Sequence, residues 1–148
     1  MDNFLSQPKI RVVVRKRPIS QKEIDSNDSD VIQKRENQTI IVSEIKYNLK
    51  RTKLDLSKYI EEHSFIFDDV FDENVSNQEL YISAVQPLIE SALNGTRVTC
   101  FAYGQTGSGK TYTMMGMQKA DKLIPGLFLL ATEEIFYKIA EVYINSET

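Results

Sequence analysis

The sequence contains a single cysteine and a single histidine, which excludes several kinds of site. Cys100 has no second cysteine with which to form a disulfide, so we expect a reduced thiol, buried as a small hydrophobic side chain, in a reducing compartment. His63 has no second histidine beside it, so the sequence lends no support to a metal cluster or a catalytic triad, and a surface position is expected.

Long apolar runs and an excess of positive charge are also missing. No stretch is long enough to span a membrane, and residues 1–8 lack the basic-then-apolar pattern of a signal peptide. A net charge of −3 offers no general basic excess for nucleic acid. With 148 residues, 41% of them hydrophobic, the composition predicts one globular, soluble intracellular domain that binds neither nucleic acid nor membrane.

What the sequence does contain is the phosphate-binding pattern G-x-x-x-x-G-K-T. The candidate nucleotide-binding residues are Gly104, Gln105, Thr106, Gly107, Ser108, Gly109, Lys110 and Thr111. Glycines let successive backbone N–H groups turn toward one anion. Lys110 would supply a point charge to the outer phosphates, and the Thr111 hydroxyl would be a ligand of Mg²⁺. The alternative is a Gly/Ser-rich turn that contains a lysine by chance.

The residues on either side of the loop strengthen this prediction. Residues 97–103 form an apolar run with β-branched and aromatic side chains, which predicts a strand buried on both faces. Residues 110–115 contain no helix breaker before Gly116, so a helix is expected to follow. Strand, loop and helix in this order are what a phosphate-binding loop requires.

The rest of the chain predicts an α/β arrangement with the loop after a central strand. Strands are expected at 9–17, 31–33, 39–44, 45–49 and 63–71, and residues 19–30 have the polarity of a loop. The capping box Ser76–Glu79 begins a helix that ends at Leu93, with a kink near Ser83 because Pro87 lacks an N–H.

A polar break at 117–122 precedes the last predicted helix, from Pro125 to Tyr143. Helical spacing assigns five of its side chains to a core-facing stripe: Phe128, Ala131, Ile135, Ile139 and Val142.

Two groups of basic residues each allow two interpretations. Arg15, Lys16 and Arg17 precede Pro18 and form either a solvated strand end or a wall of the nucleotide site. The second group is either solvated surface or a contact for an acidic partner. Its members are Lys46, Lys50, Arg51 and Lys53.

Three stretches in fixed order resemble the kinesin motor domain. Val14–Pro18 is similar to its R-x-R-P motif, and residues 101–111 are similar to F-A-Y-G-Q-T-x-S-G-K-T. Tyr112-Thr113-Met114 stands where the family has H-T-M, and the resemblance extends from Lys9 to about Phe136. K-L-D-L-S-K-Y, residues 53–59, further resembles the K-V-D-L-T-K-Y of the kinesin-13 class, which depolymerises microtubules.

This resemblance implies a P-loop NTPase fold, with a kinesin motor-like central sheet flanked by helices. Residues 1–8 would be an N-terminal extension and 9–148 the N-terminal portion of a motor domain. ATP and Mg²⁺ would be the cofactors, with the adenine beside Arg15, Arg17 and Pro18 and with Tyr112 stacked where the family has histidine. Tubulin would be the partner, at Lys53, Leu54 and Asp55. The location would be the cytoplasm and its microtubules, with the spindle as one candidate.

The switch motifs of the family, N-x-x-S-S-R and D-x-x-G-x-E, do not occur within these 148 residues. Because such segments position the attacking water and sense the γ-phosphate, no catalytic residue is predicted within this chain. The sheet is expected to be incomplete on its C-terminal side, which leaves an unpaired strand edge.

Three functions follow from these features. The preferred one is an ATP-binding microtubule motor of the kinesin superfamily, whose complete domain couples ATP hydrolysis to tubulin binding and microtubule depolymerisation. The alternative is a truncated, non-hydrolysing nucleotide- or microtubule-binding fragment. An unrelated P-loop enzyme such as a nucleotide kinase is disfavoured, because those enzymes usually carry the loop on their first strand.

Overall fold

The computed structural model describes residues 9–47 and 58–146. The chain divides into two compact units, Met1–Glu73 and Asn74–Thr148. In the first unit, β1 (Val13–Arg15) pairs in parallel with β5 (Asp69–Phe71). A separate antiparallel sheet has the order β2 (Ile32–Lys34), β3 (Thr39–Tyr47) and β4 (Lys58–Ile66). The buried apolar residues of this unit are Ile40, Ile41 and Val70.

Several predicted strands of the first unit have different boundaries. The strand expected at 9–17 forms only over Val13–Arg15, and the two short strands expected from residue 39 onward are one continuous β3 within the described residues. The strand expected at 63–71 is split in two: β4 ends at Ile66 on the antiparallel sheet, and from Asp68, whose N–H donates to the Val12 carbonyl, the chain runs beside β1 as β5. A strand can therefore change sheets within a single apolar run.

The predicted loop 19–30 contains a short helix, α1 (Gln21–Asp25). Ser20 caps it, and the Glu23 side chain accepts a hydrogen bond from the Ser20 backbone N–H at 2.7 Å. This is the same Ser-x-x-Glu capping box that correctly predicted the later helix. The segment was expected to be a loop because it is polar and has no apolar stripe of the kind that marks an amphipathic helix.

The second unit begins with the helix predicted from the Ser76–Glu79 capping box, which the structure confirms. It consists of α2 (Asn77–Leu80), a π-helical turn (Tyr81–Val85) and α3 (Gln86–Leu93). The π-helical turn ends two residues before Pro87, which has no N–H to donate to the preceding turn. The break therefore falls where the sequence predicted it. The buried apolar residues here are Leu80, Tyr81, Val85 and Ile89.

The chain then runs through α4 (Lys110–Met115), β6 (Gly116–Lys119), β7 (Lys122–Pro125) and α5 (Leu127–Ser146). The polar segment expected to be a simple break is therefore the turn of an antiparallel hairpin, and Pro125 ends β7 instead of starting a helix. No helix in the described part of the chain is both long and apolar enough to cross a membrane.

The core-facing stripe predicted for α5 is wrong in three of its positions. Phe128, Ile139 and Val142 are 63, 40 and 70% exposed, whereas Leu127 and Leu130 are buried. An amphipathic pattern shows which face prefers burial, but burial also needs a second layer of structure to cover that face.

The strand predicted at 97–103 does not form a ladder with any other described segment. Phe101 and Tyr103 are 78 and 95% exposed, and Cys100 is an exposed free thiol instead of a buried one. A strand satisfies its backbone groups only through a neighbouring strand, and the described residues supply none here.

Candidate functional site

The predicted phosphate-binding loop, residues 104–111, has the positive φ angles that its glycines allow. Gly104 has φ +150°, and a Cβ at this position would lie 2.6 Å from Ser108 Oγ. Gly109 has φ +96° and is the N-cap of α4, so the chain enters the helix from a left-handed conformation. The Ser108 N–H donates to the Gln105 carbonyl at 3.2 Å and closes the turn between these two glycines. The result is a tight turn in which three glycines have positive φ.

Lys110 folds back over this loop. Its Nζ donates to the carbonyls of Gly104 at 2.7 Å and Gln105 at 2.8 Å. The ammonium group therefore lies on the loop that it is predicted to serve, half-buried and held by two neutral acceptors. Phosphate oxygens are stronger acceptors for an ammonium than carbonyl oxygens, because the bond gains a full opposite charge. The lysine can thus exchange these partners for an anion.

Thr111 and Tyr112 follow on the first turn of α4. Thr111 is exposed, so its hydroxyl is accessible, and Tyr112 is half-buried. No side chain caps the start of this helix. The sequence-predicted residues 104–112 are therefore contiguous in one loop and helix start within the second unit.

The predicted adenine-side residues lie in the first unit. Arg15 ends β1, and Arg17 and Pro18 are exposed just after it. Arg17 forms a two-pronged ion pair with Glu23, in which Nη1 lies 2.7 Å from Oε2 and Nη2 pairs with Oε1. Arg17 Nη1 also donates to the Pro18 carbonyl at 2.9 Å. The guanidinium thus fixes the turn that carries Pro18.

Glu23 is a residue that the sequence interpretation missed at this position. The Arg17 guanidinium, followed by hydrogen bonds from Ser20, holds the pKa of Glu23 well below its usual range. Glu23 in turn raises the pKa of Arg17. The signal was present as Ser20-x-x-Glu23, six residues beyond the arginine.

Lys16 points to a different set of partners. Its ammonium lies 2.6 Å from Asp30 and 3.2 Å from Glu73, and its side chain is only 9% exposed. Burial opposes the charge, but the hydrogen bonds to Asp30 and Glu73 outweigh it and raise the pKa of Lys16. Of the three basic residues before Pro18, Lys16 therefore has a structural role, because it links β1 to Asp30 and Glu73 within the first unit.

The predicted tubulin-contact residues Lys53, Leu54 and Asp55 lie outside the described residues, as do Lys50 and Arg51. Lys46, the remaining member of that basic group, is on β3 and pairs with Glu61 and, at 3.5 Å, with Glu44. The carboxylates outnumber the lysine at this point, so Lys46 is engaged within the sheet instead of presenting a positive surface.

His63 lies on the same face of this sheet, because β3 and β4 pair Val42 with His63 and Glu44 with Glu61. Its Nε2 is 3.4 Å from Glu44, and the possible ligand atoms of Glu44, Glu61 and His63 all lie within 4.8 Å of one another. The single histidine of the sequence had lent no support to a metal cluster. The ammonium of Lys46 already supplies a positive charge to both carboxylates.

Comparison with known proteins agrees with this geometry. The family model described as the kinesin motor domain matches residues 15–147. The chain is 45% identical over 131 residues to mouse kinesin-like protein KIF24, covering 88% of this chain and 9% of that protein. It is 50% identical over 106 residues to rice kinesin-like protein KIN-13A, covering 72% of this chain and 12% of the relative.

The fold gives the same answer. The solved structure of a fast kinesin superposes with a TM-score of 0.70 at 34% identity, over 86% of this chain and 32% of that structure. The predicted partial α/β kinesin fold is therefore confirmed. Since the match extends over residues 15–147, the chain belongs to the kinesin motor domain family.

Proposed function

We propose that this chain is the nucleotide-binding part of an ATP-dependent microtubule motor. Kinesin motor domains bind nucleotide, and the specific ligand proposed here is ATP with Mg²⁺ at Gly104–Thr111. The observation that carries the proposal is the position of Lys110, whose ammonium is held on this glycine-rich loop by two carbonyls of the loop.

The groups present fit a magnesium nucleotide. Thr111 offers an exposed hydroxyl, an oxygen ligand of the type that Mg²⁺ accepts, directly after the lysine. Mg²⁺ bound with the nucleotide would neutralise phosphate charge. Lys110 would bind the outer phosphates, and the loop backbone would orient them.

The proposed adenine side consists of Arg15, Arg17, Pro18 and Tyr112. Arg17 serves this role mainly by fixing the Pro18 turn, because its guanidinium is already shared between Glu23 and the Pro18 carbonyl. Tyr112 offers an aromatic face for stacking but lacks the ring nitrogens of the family's histidine.

The proposed class is kinesin-13, and the proposed activity of the complete domain is microtubule depolymerisation. The support is the similarity of residues 53–59 to that class and the 50% identity to the rice protein named KIN-13A. Tubulin would be contacted by Lys53, Leu54 and Asp55, and the protein would act on the cytoplasmic microtubule cytoskeleton, with the spindle as a location to test. Residues 9–148 would be the N-terminal portion of the motor, preceded by an extension at 1–8.

The first experiment measures nucleotide binding and turnover in the natural protein at full length. We expect a fluorescent ATP analogue to bind in the presence of Mg²⁺, and tubulin to stimulate phosphate release. Lys110→Ala should lower the affinity at least a hundredfold, because the outer phosphates lose their counter-charge. Equal affinity in wild type and Lys110→Ala would overturn the proposal.

A second candidate is a nucleotide- or microtubule-binding fragment without turnover. It is favoured for the 148 residues alone, since neither switch motif occurs among them. The same phosphate-release assay on the 148-residue chain separates the two. Turnover above the Lys110→Ala background would exclude the non-hydrolysing fragment, and binding without turnover would support it.

The class assignment needs its own test, in the complete domain. Lys53→Ala with Asp55→Ala should reduce microtubule disassembly more than ATP binding. Lys119→Ala with Asp121→Ala provides a matched control, because it removes the same two side-chain types at the β6–β7 turn. Disassembly rates equal to wild type in the Lys53/Asp55 variant would remove the basis of the kinesin-13 assignment.

A further inference from the structure

Asn77 is the one polar residue that is fully buried in the part of the chain that the structure describes, at 2% exposure. It is the first residue of α2, whose cap is already supplied by Ser76 and Glu79. Its carboxamide is therefore not needed to start the helix. A buried amide is retained at a cost in desolvation unless its hydrogen bonds are made elsewhere.

Those bonds go to the segment that carries the phosphate loop. Asn77 Nδ2 donates to the carbonyl of Tyr112 at 3.1 Å and to the carbonyl of Pro125 at 2.8 Å. Tyr112 lies in α4, two residues after Lys110, and Pro125 is the last residue of β7. One amide group on α2 thus contacts α4 and β7, through residues that lie 35 and 48 positions after Asn77 in the sequence.

The helix held in this way is too short to be stable alone. α4 has six residues, and a helix of this length is marginal in water without tertiary contacts. Its far end is fixed by a close backbone approach, since a Cβ on Gly116 would lie 2.1 Å from the Ile124 carbonyl oxygen. The Gly116 N–H also donates to the Tyr112 carbonyl, the same oxygen that Asn77 contacts.

We propose that Asn77 is a positioning residue for phosphate binding. Its carboxamide holds α4 through Tyr112 and Pro125, and this fixes the direction in which Lys110 and Thr111 leave the helix start. Asn77 does not itself touch the nucleotide. The inference rests on the nucleotide-binding function proposed above.

The test compares Asn77→Asp with Tyr81→Phe in the natural protein at full length. Aspartate keeps the shape of asparagine but replaces its two N–H donors with an oxygen that faces two carbonyls. Tyr81→Phe is the matched control, because it removes a hydrogen bond to Glu134 of 2.6 Å from the same unit at a side chain that is 3% exposed.

We expect Asn77→Asp to weaken binding of a fluorescent ATP analogue with Mg²⁺ at least tenfold, and Tyr81→Phe to change it less than twofold. Equal affinity in the two variants would overturn the positioning role. Wild type and Lys110→Ala, measured alongside, report on the proposed function separately. If wild type binds and Lys110→Ala does not, a failure of the Asn77 prediction concerns Asn77 alone.

Hydrogen exchange provides a readout that does not depend on nucleotide binding. Asn77→Ser, which keeps a single shorter donor, should speed exchange of the α4 amides at 113–115 while amides in the middle of α5 keep their protection. This variant also serves if Asn77→Asp does not fold. Unchanged protection at 113–115 would overturn the proposal, even if wild type bound no nucleotide.

Discussion

Of the two segments that flank the predicted phosphate loop, the one after it forms regular secondary structure and the one before it does not. Residues 97–103 have the stronger apolar pattern, yet they pair with no described strand, and Tyr103 is 95% exposed. Residues 110–115 have a weaker pattern, yet they form α4, with Asn77 and Gly116 contacting its backbone. A helix makes hydrogen bonds within its own segment, and a few contacts such as those of Asn77 and Gly116 hold a short one in place. A strand makes no ladder without a neighbouring strand, which its own sequence does not specify.

The β6–β7 hairpin differs from the apolar run 97–103 in the same way. β6 and β7 pair although only a two-residue turn and few apolar side chains mark them, because each is the other's neighbour in sequence. The run at 97–103 has the side chains of a buried strand but no adjacent partner in sequence. A short loop favours such local pairing, although β1 and β5 show that strands distant in sequence also pair in this chain.

The largest predicted effect concerns the packing of the α4 C-terminus. Gly116→Ala should lower the free energy of unfolding by about 3 kcal/mol, because the new Cβ meets backbone and the residue has a positive φ. Gly95→Ala is the matched control: its φ is +85° against +82° for Gly116, but nothing lies within 4 Å of the added carbon. We expect a loss of about 1 kcal/mol there. Urea unfolding of the 148-residue chain measures both, and equal losses would mean that α4 is not tightly packed.

The next prediction concerns a core residue and its exposed counterpart. Leu130→Ala should cost about 2–3 kcal/mol, since Leu130 is 8% exposed. Phe101→Ala should change the free energy of unfolding of the same 148-residue chain by less than about 0.5 kcal/mol, because its side chain is 78% exposed. A loss at Phe101 as large as that at Leu130 would show that residues 97–103 are buried as a strand.

The smallest predicted effect concerns α1 and the ion pair between Arg17 and the capping-box residue Glu23. The folded-state pKa of Glu23 is depressed by Arg17, so its stabilising contribution is complete above the ordinary value of 4.5 and is lost as the pH falls below it. Glu23→Gln should reduce the fall in stability between pH 5 and pH 3. Thermal unfolding at several pH values measures this, and identical pH dependence in both proteins would show that the Arg17–Glu23 pair is too solvated to contribute.

The capping boxes show how far local sequence could predict the structure. Ser76–Glu79 predicted the start of α2, and Pro87 predicted the break that appears as a π-helical turn. The identical pattern Ser20–Glu23 was overlooked, although it forms α1 and holds Arg17. Capping needs only four residues, so it can be predicted without knowledge of the fold.

The exposed side chains of α5 show what local sequence could not predict. Phe128 and Val142 occupy positions that helical spacing assigned to the core, yet they are 63 and 70% exposed. Which apolar face becomes buried depends on the layer that packs against it. Periodicity within one helix contains no information about that layer.

By itself, the sequence predicted the candidate phosphate loop and the starts of α2 and α4, since each depends on residues within a few positions of one another. It also indicated the family, through three short stretches in fixed order. Only the tertiary structure decided that the buried Asn77 carboxamide contacts the carbonyls of Tyr112 and Pro125, and that Phe101 and Tyr103 in the segment 97–103 are exposed. The physical reason is the separation along the chain between the residues that interact. Backbone conformation and capping are set by near neighbours, whereas buried polar contacts and strand pairing join residues that are distant along the chain.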